Sequence, residues 1–238
     1  GGGNTFTGTG GVISLSSAEV DMSSFAATAT QEGAYISIAD WSVEGNAVYT
    51  VLGEGLATYR LTQALQLVNG AVLTLGEGTI LESTHHDHDL VIKEGSKLVA
   101  DGATIRLNGH EKEEGYSLSS LLVSSGAEVE LRNSTMSAYN ASSIYTDVYR
   151  PESQYNVYVH SGGRLSLTDS TLESVNFFRA DSGSEVAVLG TSLTNLTALG
   201  ALLMETSTVS GRLTLGGTVS GGGNTFTGTG GVISLSSA

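Results

Sequence analysis

Five glycines anchor the same pattern of apolar residues along the middle of the chain, and this pattern constrains the fold more than any other feature. Counted from Gly70, Gly95, Gly126, Gly162 and Gly183, every residue at positions −5, −3, +3, +5 and +10 is apolar. The five sets are Leu65, Leu67, Leu73, Leu75, Ile80; Leu90, Ile92, Leu98, Ala100, Ile105; Leu121, Val123, Val129, Leu131, Met136; Val157, Val159, Leu165, Leu167, Leu172; and Phe178, Ala180, Val186, Val188, Leu193. Apolar side chains two residues apart on both sides of a glycine indicate short strands joined by a turn.

The period of two and the abundance of glycine and β-branched residues argue against helices. The anchoring glycines are 25, 31, 36 and 21 residues apart, so one repeat takes about 21 to 25 residues and two repeats carry insertions. We expect these insertions, residues 108–117 and 138–155, to leave the fold at corners. Because repeats of this length bury their apolar side chains only against their neighbours, the sequence predicts an all-β parallel β-helix, a β-solenoid, of about 8–10 coils.

Stacked coils place equivalent inward residues in columns. We predict that Leu98, Val129, Leu165 and Val186 form one such column, and each fully buried aliphatic side chain contributes roughly 1.5–3 kcal/mol. Towards the N-terminus the alternation is less regular, and its apolar pairs are Ile13/Leu15, Val20/Met22, Ile36/Ile38 and Trp41/Val43.

The two ends of the chain are identical. Residues 1–18, GGGNTFTGTGGVISLSSA, recur without change as residues 221–238. We interpret residues 1–220 as one β-solenoid repeat unit and residues 221–238 as the start of the next identical tandem repeat. An engineered duplication of one end is the alternative.

A β-solenoid cut across its axis exposes unpaired backbone groups and an open apolar core, and such ends attract further strands. Since the chain starts and ends with the same segment, we expect the structure that stacks on its end to be another copy of its start. The predicted partner is therefore the chain itself, as an adjacent repeat or an adjacent subunit. The alternative is a solenoid closed by capping segments that the sequence does not reveal.

The charge balance argues against nucleic acids and anionic lipids as partners. The sequence has 10 Lys and Arg residues and 24 Asp and Glu residues, so the net charge is −14. The sequence has no cysteine, so a disulfide or a thiolate metal site is excluded. We find no run of roughly 18 apolar residues and predict no membrane insertion in this segment. Strong acidity and abundant Ser, Thr and Gly favour an extracellular protein.

Two segments carry a resemblance to a known family. The motif Asn-Thr-Phe-Thr-Gly at residues 4–8 and 224–228 resembles the core of the autotransporter-associated β-strand repeat. Residues 157–174, VYVHSGGRLSLTDSTLES, are similar to the coils of bacterial β-helical surface adhesins and passenger domains. The resemblance implies an exported, structural or adhesive β-helical segment at a cell surface, and it supplies neither a catalytic residue nor a cofactor.

Three of the five histidines lie in the run HHDHD, residues 85–89. Imidazole and carboxylate groups together suit Zn²⁺, Cu²⁺ or Ni²⁺. Alternation along an extended segment would put His86 and His88 on one side, and we take His85, His86 and His88 as candidate ligands of a peripheral metal. The alternative is a solvated corner between two strands, because the sequence places no second group of ligands nearby.

The second insertion is rich in tyrosine. Exposed aromatic rings offer flat surfaces for sugars or for partner proteins. The candidate residues are Tyr139, Tyr145, Tyr149 and Tyr155. The alternative is that this loop folds back and covers the side of the β-helix.

An enzyme is the competing class of function, since many parallel β-helices bind or degrade polysaccharides. Hydrolysis needs two carboxyl groups a few ångströms apart, one of them protonated. The outward positions of the predicted strands carry Ser, Thr and isolated charges, and the nearest carboxyl pair, Asp169 and Glu173, has the character of turn and surface residues. The sequence predicts that the chain is not an enzyme.

Overall fold

The computed structural model describes residues 4–6, 11–23, 25, 27–29, 33–53, 56–108, 118–138, 155–227 and 233–235. Their strands form three parallel sheets of ten, nine and eight strands and a separate pair. From residue 35 onwards, each coil adds one strand to the ten-stranded sheet, then one to the nine-stranded and one to the eight-stranded sheet. This three-sided parallel β-helix confirms the predicted fold. No helix in the described ranges is long and apolar enough to cross a membrane.

The ten-stranded sheet begins near the N-terminus and ends in the second copy of the duplicated segment. Its strands, in stacking order, are β2 (Val12–Leu15), β4 (Tyr35–Ile38), β7 (Thr58–Leu61), β10 (Ile80–Ser83), β13 (Thr104–Leu107), β16 (Thr135–Ala138), β19 (Thr171–Glu173), β22 (Ser192–Leu193), β25 (Thr208–Val209) and β28 (Thr225–Phe226).

The other sheets follow the same stacking order. The nine-stranded sheet contains β5 (Ser42–Val43), β8 (Leu65–Leu67), β11 (Leu90–Ile92), β14 (Leu121–Val123), β17 (Val157–Val159), β20 (Phe178–Ala180), β23 (Leu196–Ala198), β26 (Leu213–Leu215) and β29 (Ile233–Leu235). The eight-stranded sheet contains β6 (Asn46–Tyr49), β9 (Val72–Leu75), β12 (Lys97–Asp101), β15 (Glu128–Arg132), β18 (Arg164–Thr168), β21 (Glu185–Leu189), β24 (Ala201–Glu205) and β27 (Val219–Gly222). The separate pair is β1 (Asn4–Phe6) with β3 (Ala27–Ala29).

The anchoring glycines form the turn between the nine-stranded and the eight-stranded sheet. All five have positive φ angles between 70° and 83°, a region that glycine adopts without steric cost. The turns also bond to one another: the N–H of Gly95 donates to the carbonyl of Gly126 at 3.0 Å, and that of Gly126 to Gly162 at 3.0 Å. The spacing of these glycines in the sequence therefore gives the number of residues from one coil to the next.

Two apolar residues do not take the inward positions that the pattern predicted. Ile80 is half-buried, and its neighbour Leu81 fills the column beside Ile105. The chain before β10 is one residue longer than the chain before β13: residues 76–79 separate Leu75 from Ile80, whereas residues 101–103 separate their partners Ala100 and Thr104. Trp41 is 58% exposed, because it lies at the corner immediately before the two-residue strand β5.

The N-terminal coils fill the core with larger side chains than the later coils. Tyr49 and Tyr59 are fully buried, and their rings stack in parallel with centroids 4.5 Å apart. The hydroxyl of Tyr49 donates to the carbonyl of Ala18 at 2.9 Å. That of Tyr59 donates to the carbonyl of Thr50 at 2.8 Å, so both polar ends are satisfied inside the core.

One corner of the β-helix accommodates the irregular segments. Both insertions leave the fold between the ten-stranded and the nine-stranded sheet, after β13 and after β16. Residues 109–117 and 139–154 lie outside the described residues. The histidine run at residues 85–89 lies at the same corner, between β10 and β11.

Candidate functional site at the coil end

A row of buried hydroxyl groups follows the corner at which each coil enters the ten-stranded sheet. Ser134 Oγ accepts a hydrogen bond from the N–H of Ala103 at 3.1 Å, and Ser170 Oγ accepts one from Ser134 at 3.2 Å. Thr191 Oγ1 accepts from the N–H of Ser170 at 3.2 Å, and Ser207 Oγ from that of Thr191 at 3.1 Å. In this hydroxyl ladder each buried N–H finds its acceptor in the next coil, so each coil satisfies the one before it.

Asn224 forms the last rung of the hydroxyl ladder. Its Oδ1 accepts a hydrogen bond from the N–H of Ser207 at 3.0 Å, and its Nδ2 donates to the carbonyl of Met204 at 2.8 Å. The N–H of Thr225 donates to the carbonyl of Ser207 at 2.8 Å. Asn224 belongs to the second copy of the duplicated segment and corresponds to Asn4 in the first. The duplicated segment therefore carries the group that completes the corner of the preceding coil.

The second copy also places apolar side chains over the end of the core. Phe226 pairs with Val209, and Ile233 pairs with Leu213. Phe226 and Ile233 are 48% and 53% exposed, whereas their partners in the coil below are buried. Together with Val219 they line an open cavity of about 180 Å³ at the axis of the β-helix. This apolar end surface has the shape and chemistry that a further coil would cover.

Residues 204–215, which we call the acceptor coil, approach the second copy closely. Gly221 pairs with Met204 and has a φ angle of 117°. A Cβ atom at position 221 would overlap the carbonyl of Met204, whereas one at Gly222 would meet no atom within 4 Å. The first residue of the duplicated segment is therefore a glycine for a steric reason.

The first copy of the duplicated segment lies on different sheets from the second. Its strand β1 pairs with β3 outside the three main sheets, and β2 starts the ten-stranded sheet beside β4. In the second copy the corresponding strands β28 and β29 belong to the ten-stranded and nine-stranded sheets. The second copy rests on the acceptor coil, whereas the first copy pairs with residues that follow it in the chain.

The four predicted stacking residues occupy consecutive strands of the eight-stranded sheet. Leu98 pairs with Val129, Val129 with Leu165, and Leu165 with Val186. All four side chains are at most 3% exposed. Their column continues to Leu202 on β24, the strand on which the acceptor coil begins, because Val186 pairs in turn with Leu202.

The histidine run forms a turn in which the side chains do not alternate. The ring of His85 lies 4.1 Å from that of His86 and 4.8 Å from that of His88, measured between centroids. The potential ligand atoms of His85, His86 and Asp87 all lie within 4.8 Å of one another. The Nδ1 atom of His88 instead lies 3.1 Å from the carbonyl oxygen of Leu61. The structure thus groups Asp87, and not His88, with the first two histidines, and metal binding stays a prediction.

The residues that flank this turn are partly withdrawn from solvent. Burial lowers the pKa of His88, and the neighbouring His85 lowers it further. Burial raises the pKa of Asp89 to about 6, although its Oδ1 accepts a hydrogen bond from the N–H of Ser120 at 2.8 Å. Desolvation disfavours the charged form of each group, which explains the opposite directions of the two shifts.

Tyr155 is the one candidate tyrosine within the described residues, and it is half-buried. Its ring lies 5.2 Å from that of Tyr158, and the guanidinium of Arg179 lies 5.9 Å from the Tyr155 centroid. The Nε atom of Arg179 bonds Asp181 Oδ1 at 2.8 Å. Tyr139, Tyr145 and Tyr149 lie outside the described residues.

Sequence reasoning missed two members of this group, Arg179 from the next coil and His160 from the coil of Tyr155 itself. Arg179 lies directly beside Tyr158 in the nine-stranded sheet, and His160 meets the Tyr158 ring edge-on at 4.6 Å. The signal was present in the glycine alignment, since Tyr158 and Arg179 occupy the same position relative to Gly162 and Gly183. Outward residues at equal offsets become neighbours when coils stack.

Charged side chains on the outward sides pair between neighbouring coils. The pairs are Arg60–Glu82 at 2.7 Å, Lys97–Glu130 at 2.5 Å and Arg164–Glu185 at 3.0 Å. Asp169 lies at a corner with a φ angle of 48°, and Glu173 ends β19. Both of these carboxylates are exposed.

Comparisons with known proteins add little to this geometry. No family model matches the chain, and no curated protein matches it. Among solved structures, the chain is similar to the TibC-catalysed hyper-glycosylated TibA55-350 fragment, with 15% sequence identity and a TM-score of 0.21. That similarity covers 96% of this chain and 98% of the other.

Proposed function

We propose that the chain is a structural repeat of a long extracellular fibre or adhesin, whose units stack head-to-tail into one continuous β-solenoid. The observation that carries this proposal is the position of the second copy. Residues 221–222, 225–226 and 233–235 each extend one of the three sheets beyond residue 220, and Asn224 extends the hydroxyl ladder. A repeat that begins with this segment therefore continues the preceding repeat by the same backbone pairing that holds the coils together.

The extracellular and adhesive parts of the proposal rest on the sequence. The net charge of −14 and the absence of cysteine suit a surface-exposed rod that must not associate along its sides. The Asn-Thr-Phe-Thr-Gly motif, which resembles autotransporter-associated repeats, contributes Asn224 to the hydroxyl ladder. The motif thus has a mechanical role in this fold, because it joins one coil to the next.

We also propose that the chain is not an enzyme. Glycoside hydrolysis requires one carboxyl group held protonated beside a second one. Asp169 and Glu173 are both exposed, and burial is the main cause that would keep a carboxyl group protonated. Arg164 and Glu185, which line a surface groove, pair with each other.

The test is a chain in which residues 1–220 precede the full sequence, imaged by electron microscopy. Ten strands spaced at about 4.8 Å make the single unit a rod roughly 43 Å long. We expect the doubled chain to be one straight rod about twice as long. Two compact particles on a flexible connection would contradict the proposal. Phe226→Asp at the junction serves as the control, because it should bend or break the rod at that point.

A further inference from the structure

The two copies of the duplicated segment place corresponding strands in different sheets: β2 of the first copy lies in the ten-stranded sheet, whereas its counterpart β29 lies in the nine-stranded sheet. In the second copy the chain passes from the ten-stranded sheet at β28 to the nine-stranded sheet at β29, as in every regular coil. In a regular coil, the strand that follows one in the nine-stranded sheet joins the eight-stranded sheet. In the first copy, Asp21 already bridges Val48 of the eight-stranded sheet, and the N–H of Met22 donates to the carbonyl of Val48 at 2.8 Å.

Residues 20–22 therefore lie where they would if the first copy had the placement of the second. Only the strands before residue 20 differ from the second copy's placement, because β2 lies in the ten-stranded sheet and its counterpart β29 in the nine-stranded sheet. Within the described residues, the nine-stranded sheet begins at β5, and no strand lies on the side of β5 away from β8. No described strand therefore holds the position that residues 13–15 would take under the second copy's placement.

We propose that the acceptor coil is a binding site for residues 1–18 of a second copy of this chain. The incoming segment replaces the chain's own residues 221–238, and its residues 13–15 leave β4 of the ten-stranded sheet and move to the nine-stranded sheet. This inference rests on the proposed function and adds to it an exchange of identical segments between molecules.

The contacts of the second copy define what the site recognises. The side-chain amide of Asn4 would bond the N–H of Ser207 and the carbonyl of Met204, as Asn224 does at 3.0 and 2.8 Å. Thr5 and Phe6 would pair with β25, and residues 13–15 with β26. Since the two segments have the same 18 residues, the site cannot distinguish them by its contacts.

Connectivity distinguishes the two segments instead. Residues 221–238 are tethered to the acceptor coil, so their effective concentration is far above that of a free molecule. In the unmodified chain the tethered copy therefore occupies the site. Weakening that copy alone should transfer the site to residues 1–18 of another molecule, and the duplication allows the matched change to be made in either copy.

The experiment uses the full chain with Thr5→Cys and Thr208→Cys in two matched backgrounds. The first background carries Asn224→Ala and Phe226→Asp, which weaken the tethered copy. The second carries Asn4→Ala and Phe6→Asp, which weaken the incoming copy. Thr208 pairs with Thr225, the counterpart of Thr5, and the native chain has no cysteine. Neighbouring strands bring paired residues within disulfide distance, so exchange joins position 5 of one molecule to position 208 of another.

We expect covalent multimers on a denaturing gel in the first background and monomers in the second. The loss of two hydrogen bonds with Asn224 should raise the crosslinked fraction by about tenfold relative to the chain with only the two cysteines. Asn224→Ala without Phe226→Asp is the milder variant to use if circular dichroism shows a loss of folding. Monomers in every background, or equal crosslinking in both, would overturn the exchange.

The two experiments distinguish failure of the proposed continuous solenoid from failure of the proposed exchange. If the doubled chain forms one rod but no multimers appear here, units continue only when they are covalently joined, and the exchange is wrong. If the doubled chain separates into two particles, the continuous solenoid is wrong whatever the gel shows.

Discussion

The two copies of the duplicated segment have one sequence and two structures. Residues 225–226 and 233–235 extend the ten-stranded and nine-stranded sheets, whereas their counterparts in the first copy belong to the separate pair and to the ten-stranded sheet. Both copies form strands, so their local preference for extended structure is the same. They differ in what lies next to them, since the second copy rests on the acceptor coil and the first copy pairs with β3 and β4. In this molecule the neighbouring coil, and not the segment itself, decides which sheet a strand joins.

Disrupting the core beneath the second copy should have the largest effect on stability and should affect the second copy more than the first. Leu165→Asp buries a carboxylate in the core column two coils below the acceptor coil, and we expect a loss of about 3–5 kcal/mol in the free energy of unfolding. Because each coil contacts only its neighbours, amide exchange should become fast from β17 to β29 and stay slow from β4 to β8. Ser166→Asp, on the outward side of the same strand, is the control. Equal effects of the two variants would contradict the assignment of Leu165 to the core.

A smaller change should release the second copy alone. Gly221→Ala introduces a Cβ atom that overlaps the carbonyl of Met204, at a φ angle of 117°. We expect a local cost of roughly 1–3 kcal/mol and faster amide exchange in β28 and β29, with the first copy unchanged. Gly222→Ala, whose added Cβ meets no atom within 4 Å, should leave these amides protected. Slow exchange in both variants would show that the close approach at Gly221 does not hold the segment in place.

The smallest effect concerns the histidine turn, which lies away from both copies and serves as an internal reference. If the predicted metal site exists, Zn²⁺ at ten times its dissociation constant should stabilise the chain by about 1.4 kcal/mol, measured as a shift in thermal unfolding. Asp87→Asn should reduce this shift more than His88→Ala, because the ligand atoms of His85, His86 and Asp87 lie together. His160→Ala is the control, since His160 packs against Tyr158. An unchanged shift in His85→Ala would place the metal elsewhere.

Much of the core could be predicted because a β-helix repeats one local rule. The residues at −5, −3, +3 and +5 from each anchoring glycine are all buried, since a strand alternates between inside and outside and the turn has a constant length. The prediction at +10 was wrong for Ile80, where a longer loop before β10 shifts the inward position to Leu81. Counting from a single anchor works only until the loop length changes.

The candidate site was less accessible to this reasoning. The duplication indicated that the ends matter, and the column through Leu165 was predicted residue by residue. The hydroxyl ladder was not predicted, because Ser134, Ser170 and Ser207 lie at corners where serine is common for many reasons. Their shared role appears only when the N–H of one coil is seen beside the hydroxyl of the next.

The sequence by itself determined that the chain is all β, where its strands turn, which side chains of the regular coils face inward, and that its start and end are the same segment. These properties follow from local alternation and from glycine, and they do not depend on distant residues. Only the tertiary structure decided which sheet each copy of the segment joins and that Asn224 completes the corner of the coil beneath it. Backbone pairing in a parallel sheet joins residues about one coil apart, so the result depends on the coil that is already in place.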